Sequence, residues 1–124
     1  LATIVLLNIL NLNTFPIDNI KKITLIEPGN IALDRAVDFL KNSCEIVRIN
    51  KGLDSLSLKD LRTQSNTIKI HLFSNILDMG GKHFSIENLA KKIRSTQAGD
   101  NYFVCVSAIN EMELEQFTEE IAQV

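Results

Sequence analysis

The chain has 124 residues, 45% of them hydrophobic and 23% charged, with a formal net charge of -2. That length holds one domain at most, and a complete domain of this size buries roughly two-thirds of the surface its unfolded chain exposes. The near-neutral balance gives no electrostatic footprint for nucleic acid or an anionic membrane, and composition alone names no partner.

The chain opens at Leu1, inside an apolar segment (LATIVLLNIL) with no capping signal before it, and reads as a piece of something longer. Residues 1–11 carry Thr, Ile and Val suited to a strand. The following linker, however, has no room for a crossover helix, so a buried helix fits the order of elements better. Residues 23–26 (ITLI) form a short β-prone run ended by the turn signal Glu27-Pro28-Gly29. Asn30 can cap a helix whose Ile31, Leu33, Ala36, Val37 and Leu40 recur at helical spacing, with Asp34, Arg35, Asp38 and Lys41 turned outward.

The alternation then repeats. Residues 45–50 (EIVRIN) are a strand candidate, and residues 57–61 a short helix with Ser57 as cap and Asp60 in its first turn. Residues 67–74 (TIKIHLFS) read as a strand, followed by a loop with Gly80-Gly81 and a helix from Ser85, whose Ser85-x-x-Asn88 resembles a capping box without its acid. Residues 101–108 (NYFVCVSA) are the most apolar strand, and residues 110–124 an acidic helix. Strands separated by helical segments argue for one α/β domain over residues 1–124, with a mostly parallel sheet covered on both faces. Cys44 and Cys105 fall in apolar runs and read as buried, reduced thiols without metal-ligand spacing. No secretory leader pattern is present and apolar stretches such as residues 4–7 are too short to span a bilayer, so no membrane association and a cytoplasmic location are expected.

In a doubly wound sheet, ligands bind outside the carboxyl ends of the strands. An acid directly after a strand can accept hydrogen bonds from both hydroxyls of a ribose, and Glu27 stands at that place; a solvated carboxylate is the alternative. The run from Ile23 through Glu27-Pro28-Gly29 to Ala36 resembles the second strand and following helix of class I S-adenosylmethionine-dependent methyltransferases, with their hydrophobic-acid-turn and Leu-x-x-Ala pattern. His71-Leu72-Phe73-Ser74-Asn75-Ile76-Leu77-Asp78 is similar to their fourth strand and the loop after it. With the order of the other elements, the similarity covers most of the chain.

The resemblance implies a Rossmann-like doubly wound fold that binds S-adenosylmethionine. Glu27 and Pro28 would lie at the ribose, Asn50 or Lys51 near the adenine edge, and Ser74 and Asn75 at the methionine end beside an unknown methyl acceptor. Asn50 would meet the adenine amine only through its side-chain carbonyl. The family's glycine-rich loop after its first strand has no counterpart, since the first glycine is Gly29. If residues 1–11 are the family's first helix, its first strand is missing from the centre of the sheet, between the second and fourth. That leaves two inner edges to be filled by a missing segment or a second chain. The antiparallel strands that close the family's sheet are also absent at the C-terminal end.

Two rivals stand beside methyl transfer: a methyltransferase-like domain that serves as an inactive binding or scaffold module, and a nicotinamide-binding Rossmann domain whose ribose Glu27 would equally suit. Where nucleic-acid and amine methylating members carry Asn-Pro-Pro-Tyr or Asp-Pro-Pro-Tyr, this chain has Ser74-Asn75-Ile76-Leu77, which weighs against base methylation. His71 reads as a half-buried strand residue, His83 as a loop residue, and Asp78 as a loop acid. Lys91, Lys92 and Arg94, and Glu111, Glu113, Glu115, Glu119 and Glu120, read as solvated helix faces. No catalytic residue is assigned.

Overall fold

A computed structural model describes residues 20–40, 42, 44–63, 67–74, 76–106 and 111–123. Residues 1–11 lie outside these. The chain divides into two compact units, Leu1–Gly52 and Leu53–Val124. Each is built on its own two-stranded parallel sheet.

In the first unit, strand β1 (Lys22–Ile26) leads into helix α1 (Asn30–Leu40) and returns as β2 (Glu45–Ile49). The strands pair in register from Lys22 opposite Glu45 to Ile26 opposite Ile49. Parallel strands cannot be joined by a hairpin, so α1 is the crossover, and it buries Leu33 and Leu40. Ile49 on β2 is also buried. The inward stripe is narrower than the periodicity suggests: Ile31 is 71% exposed, as is Phe39. Asn30 is the first helical residue rather than the cap, and the Gly29 carbonyl accepts the first helical bond from Leu33 N at 3.0 Å. Arg48 on β2 pairs with Asp34 on α1 across the exposed surface.

The second unit starts with a 3-10 turn, Leu53–Ser55, and the short helix α2 (Leu58–Leu61). The local sequence dictates α2: the Ser57 hydroxyl accepts from Asp60 N, and the Asp60 carboxylate accepts from Ser57 N, closing a capping box. Strand β3 (Lys69–Ser74), a 3-10 turn at Leu77–Met79, helix α3 (Ile86–Thr96), β4 (Asn101–Val106) and helix α4 (Glu111–Ala122) follow. Ser85 caps α3 by accepting from Asn88 N at 3.2 Å. Strands β3 and β4 pair from Lys69 opposite Asn101 to Ser74 opposite Val106.

The core of this unit joins Leu77, Phe84, Ile86, Leu89, Ile93 and Phe117. Phe117 of α4 is 2% exposed and meets Phe73 at 5.0 Å and Phe103 at 5.8 Å between ring centroids. Phe73 and Phe103 therefore mark the covered face of this sheet. On the alternate positions Ile70, Tyr102 and Val106 are exposed. Among the described residues the strands form two separate sheets, in place of the continuous sheet covered on both faces that the alternation suggests.

Helix surfaces also differ from the simple amphipathic reading. Lys92 is half-buried and donates to the Leu53 and Asp54 carbonyls, tying α3 to the turn that opens the unit. Arg94, also half-buried, donates to the Gln123 carbonyl. Glu113 and Glu120 are half-buried rather than solvated, while Glu115 and Glu119 are exposed. Cys44 and Cys105 are free thiols but only half-buried; burial is the main cause that pushes both thiols up from their ordinary value.

Because Phe117 anchors α4 to the covered face of β3 and β4, replacing it with Ala should cost about 3–5 kcal/mol of unfolding free energy. Urea denaturation measures this. A loss well under about 1 kcal/mol would show that the ring cluster does not hold α4 in place.

Candidate functional site

The carboxyl ends of β1 and β2 lie side by side because the strands are parallel and in register. One further ladder bond, from Glu27 N to Ile49 O at 3.1 Å, carries the pairing just past the last residue of β1. The chain then turns through Pro28 into α1. At this turn the Glu27 side chain folds back, and its Oε1 accepts a hydrogen bond from Gly29 N at 2.7 Å. A Cβ on Gly29 would lie 3.0 Å from the same oxygen, so the glycine gives the carboxylate room.

Asn50 closes the turn from the other strand. Its Nδ2 donates to the Glu27 carbonyl at 2.9 Å and to the Pro28 carbonyl at 3.0 Å. With both amide hydrogens committed to backbone oxygens, the Asn50 Oδ1 remains the group that can accept from a ligand. Glu27 is half-buried, whereas Pro28, Asn50 and Lys51 are exposed. Four of the six residues expected at a cofactor are thus neighbours at one sheet edge, with Gly29 added as an amide donor that the sequence marked only as part of a turn.

Ser74 belongs to the second unit, where it is the half-buried last residue of β3. Asn75 lies outside the described residues, as do the side chain of Asp78 and that of Glu111. Exposed His83 lines an open, mixed-charge cleft of about 400 Å³ with Asp54, Lys82, Ser85, Glu87 and Gln116. The acids there already have work: Asp54 accepts from Ser85 N at 3.0 Å, and Glu87 pairs with Lys91 at 2.7 Å. That pairing holds the Glu87 carboxyl below its ordinary value.

His71 occupies the covered face of the second sheet, as its alternation with Ile70 and Leu72 requires. Its ring stacks on Phe103 at 4.7 Å, and its Nε2 lies 2.9 Å from Asn101 Oδ1. Asn101 Nδ2 donates to the Gln97 and Gly99 carbonyls, which turns its oxygen toward the imidazole and makes Nε2 the protonated, donating nitrogen. Burial lowers the His71 pKa from the ordinary 6.5, against an opposing effect of the Asn101 bond and with a smaller push from Lys69. The arrangement is structural: a neutral ring packed in an aromatic cluster.

Among the described residues no His, Cys, Asp and Glu group could hold a metal ion, and no helix is long and apolar enough to cross a membrane. No family model, curated protein or solved structure matches the chain.

The lowered pKa of His71 sets a direction for stability against pH. The folded state binds its proton less readily than the unfolded chain does, so the stabilisation is complete above 6.5 and is lost as pH falls through the folded value. Denaturation at about pH 7.5 and about pH 5 should show a lower unfolding free energy at the acid value, with a smaller difference in His71→Leu. An identical difference in both proteins would remove His71 as the cause.

Proposed function

We propose that the edge formed by Glu27, Gly29 and Asn50 binds the adenosine half of S-adenosylmethionine, and that the protein transfers the methyl group of that cofactor to an acceptor. The observation that carries the reading is the Glu27 carboxylate at the end of β1, oriented by the Gly29 amide. Each carboxylate oxygen offers two acceptor positions and Gly29 N uses one of them, so both oxygens retain capacity for the two ribose hydroxyls. The Asn50 Oδ1 is then the acceptor for the adenine amine, with Pro28 and Lys51 flanking the nucleoside.

The parallel pairs β1 with β2 and β3 with β4 are compatible with an α/β fold of this kind. In this reading a further strand, from a segment outside the described residues or from a second chain, completes a doubly wound sheet. The cofactor brings an activated methyl group on a sulfonium. The protein's part is to hold the acceptor in line with the methyl carbon, and positioning of this kind supplies much of the rate in a two-substrate reaction.

A nicotinamide cofactor presents a ribose that Glu27 would suit equally, so the two are separated by titrating S-adenosylmethionine and NAD into the full-length protein. The reading expects S-adenosylmethionine to bind and NAD not to. Glu27→Ala should weaken that binding by about 1.5–3 kcal/mol, the worth of hydrogen bonds to a charged group. Preference for NAD would replace the methyltransferase reading, binding of neither would favour a scaffold module, and unchanged affinity in the variant would take Glu27 out of the site.

A further inference from the structure

The Pro28 carbonyl and the Gly29 amide belong to one peptide group, and this shared plane links two side chains. Asn50 Nδ2 donates to the oxygen of that group at 3.0 Å, while its N–H donates to Glu27 Oε1 at 2.7 Å. The described residues contain no cis peptide bond, so the carbonyl and the N–H point in opposite directions along a rigid plane. Fixing the direction of one fixes the other. The second hydrogen on Asn50 Nδ2 holds the Glu27 carbonyl at 2.9 Å, so the peptide group preceding Pro28 is held by the same planar amide.

We infer that Asn50 is a positioning residue for the Glu27 carboxylate, acting through the Pro28–Gly29 peptide group. The inference rests on the adenosine-binding reading for its consequence, but the linkage itself is a property of the turn. Two backbone carbonyls beyond the end of β1 receive donors from the side chain of the residue that follows β2, past the end of the strand register. A hydrogen bond to a peptide oxygen also polarises that peptide group, which strengthens the bond its N–H makes. The clamp therefore sets both the direction and the strength of the contact that holds Oε1. An acid at a strand end is otherwise free to swing among rotamers, and holding it removes an entropic cost from ligand binding.

Hydrogen exchange in the full chain tests the linkage without any ligand. Asn50→Asp keeps the side-chain shape but removes both donors, and Asn50→Ala removes the group; each should speed exchange of the Gly29 amide by about 5-fold or more. The Glu27 amide, bonded to Ile49 across the strands, should keep its protection, which separates a loosened turn from a loosened sheet. In the unsubstituted protein, the two Asn50 Nδ2 hydrogens should exchange more slowly than those of exposed asparagine side chains. With S-adenosylmethionine as the probe on the full-length protein, Asn50→Asp, which keeps an oxygen for the adenine amine and loses only the clamp, should lose about 5-fold in affinity, and Asn50→Ala, which loses both, more. Unaltered Gly29 exchange in both variants, or fast exchange of the Asn50 Nδ2 hydrogens in the unsubstituted protein, would overturn the inference. If the unsubstituted protein binds no S-adenosylmethionine, the functional reading fails, while the exchange data still decide the clamp.

Discussion

Parallel pairing is the constraint on which the rest depends. Two parallel strands finish at the same edge and must be linked by a crossover, so β1 and β2 deliver Glu27 and Asn50 to one place although they are 23 residues apart in sequence. The crossover helix begins at that same edge, and its approach supplies the Gly29 amide that takes up the Glu27 carboxylate. A polar edge of this sort is a direct outcome of strand direction. An antiparallel pair would send the two residues to opposite ends of the sheet.

The second sheet obeys the same rule with a different result. Its strands carry large apolar residues on both faces, and α4 packs on the face carrying Phe73 and Phe103. His71 is absorbed into that cluster, stacked and hydrogen-bonded, so the strand histidine is part of the core's construction. On the other face Ile70, Tyr102 and Val106 are exposed.

Features with a local cause were legible in the sequence. Ser57 and Asp60 form their capping box because both halves lie within one turn, and β1, a half-buried strand, ends before Pro28 because proline has no N–H for the ladder. Non-local features were not. Periodicity marked Ile31 for the core, but among the described residues α1 packs against β1 and β2 through Leu33 and Leu40, and Ile31, at the edge of its apolar stripe, is exposed. The basic residues Lys92 and Arg94 looked like a solvated face, since a backbone carbonyl elsewhere in the chain leaves no sequence signal. Asn50 was noticed for its place after β2, yet its partners are the carbonyls of Glu27 and Pro28, which any residues would provide. The role of Gly29 as a donor was hidden for the same reason, although an acid two residues before a glycine at a strand end is the pattern that could have drawn attention to it.

The proposed docking of the nucleoside on the Glu27, Gly29 and Asn50 edge puts two amide groups, the Gly29 backbone N–H and the Asn50 side chain, beside the ligand. The most direct measurement is a residue-by-residue chemical-shift map of the full-length protein as S-adenosylmethionine is added. The account predicts saturable movement of the Gly29 backbone amide and the Asn50 side-chain amide, with the same dissociation constant. Silence at both while other residues move, or no movement anywhere, would contradict it.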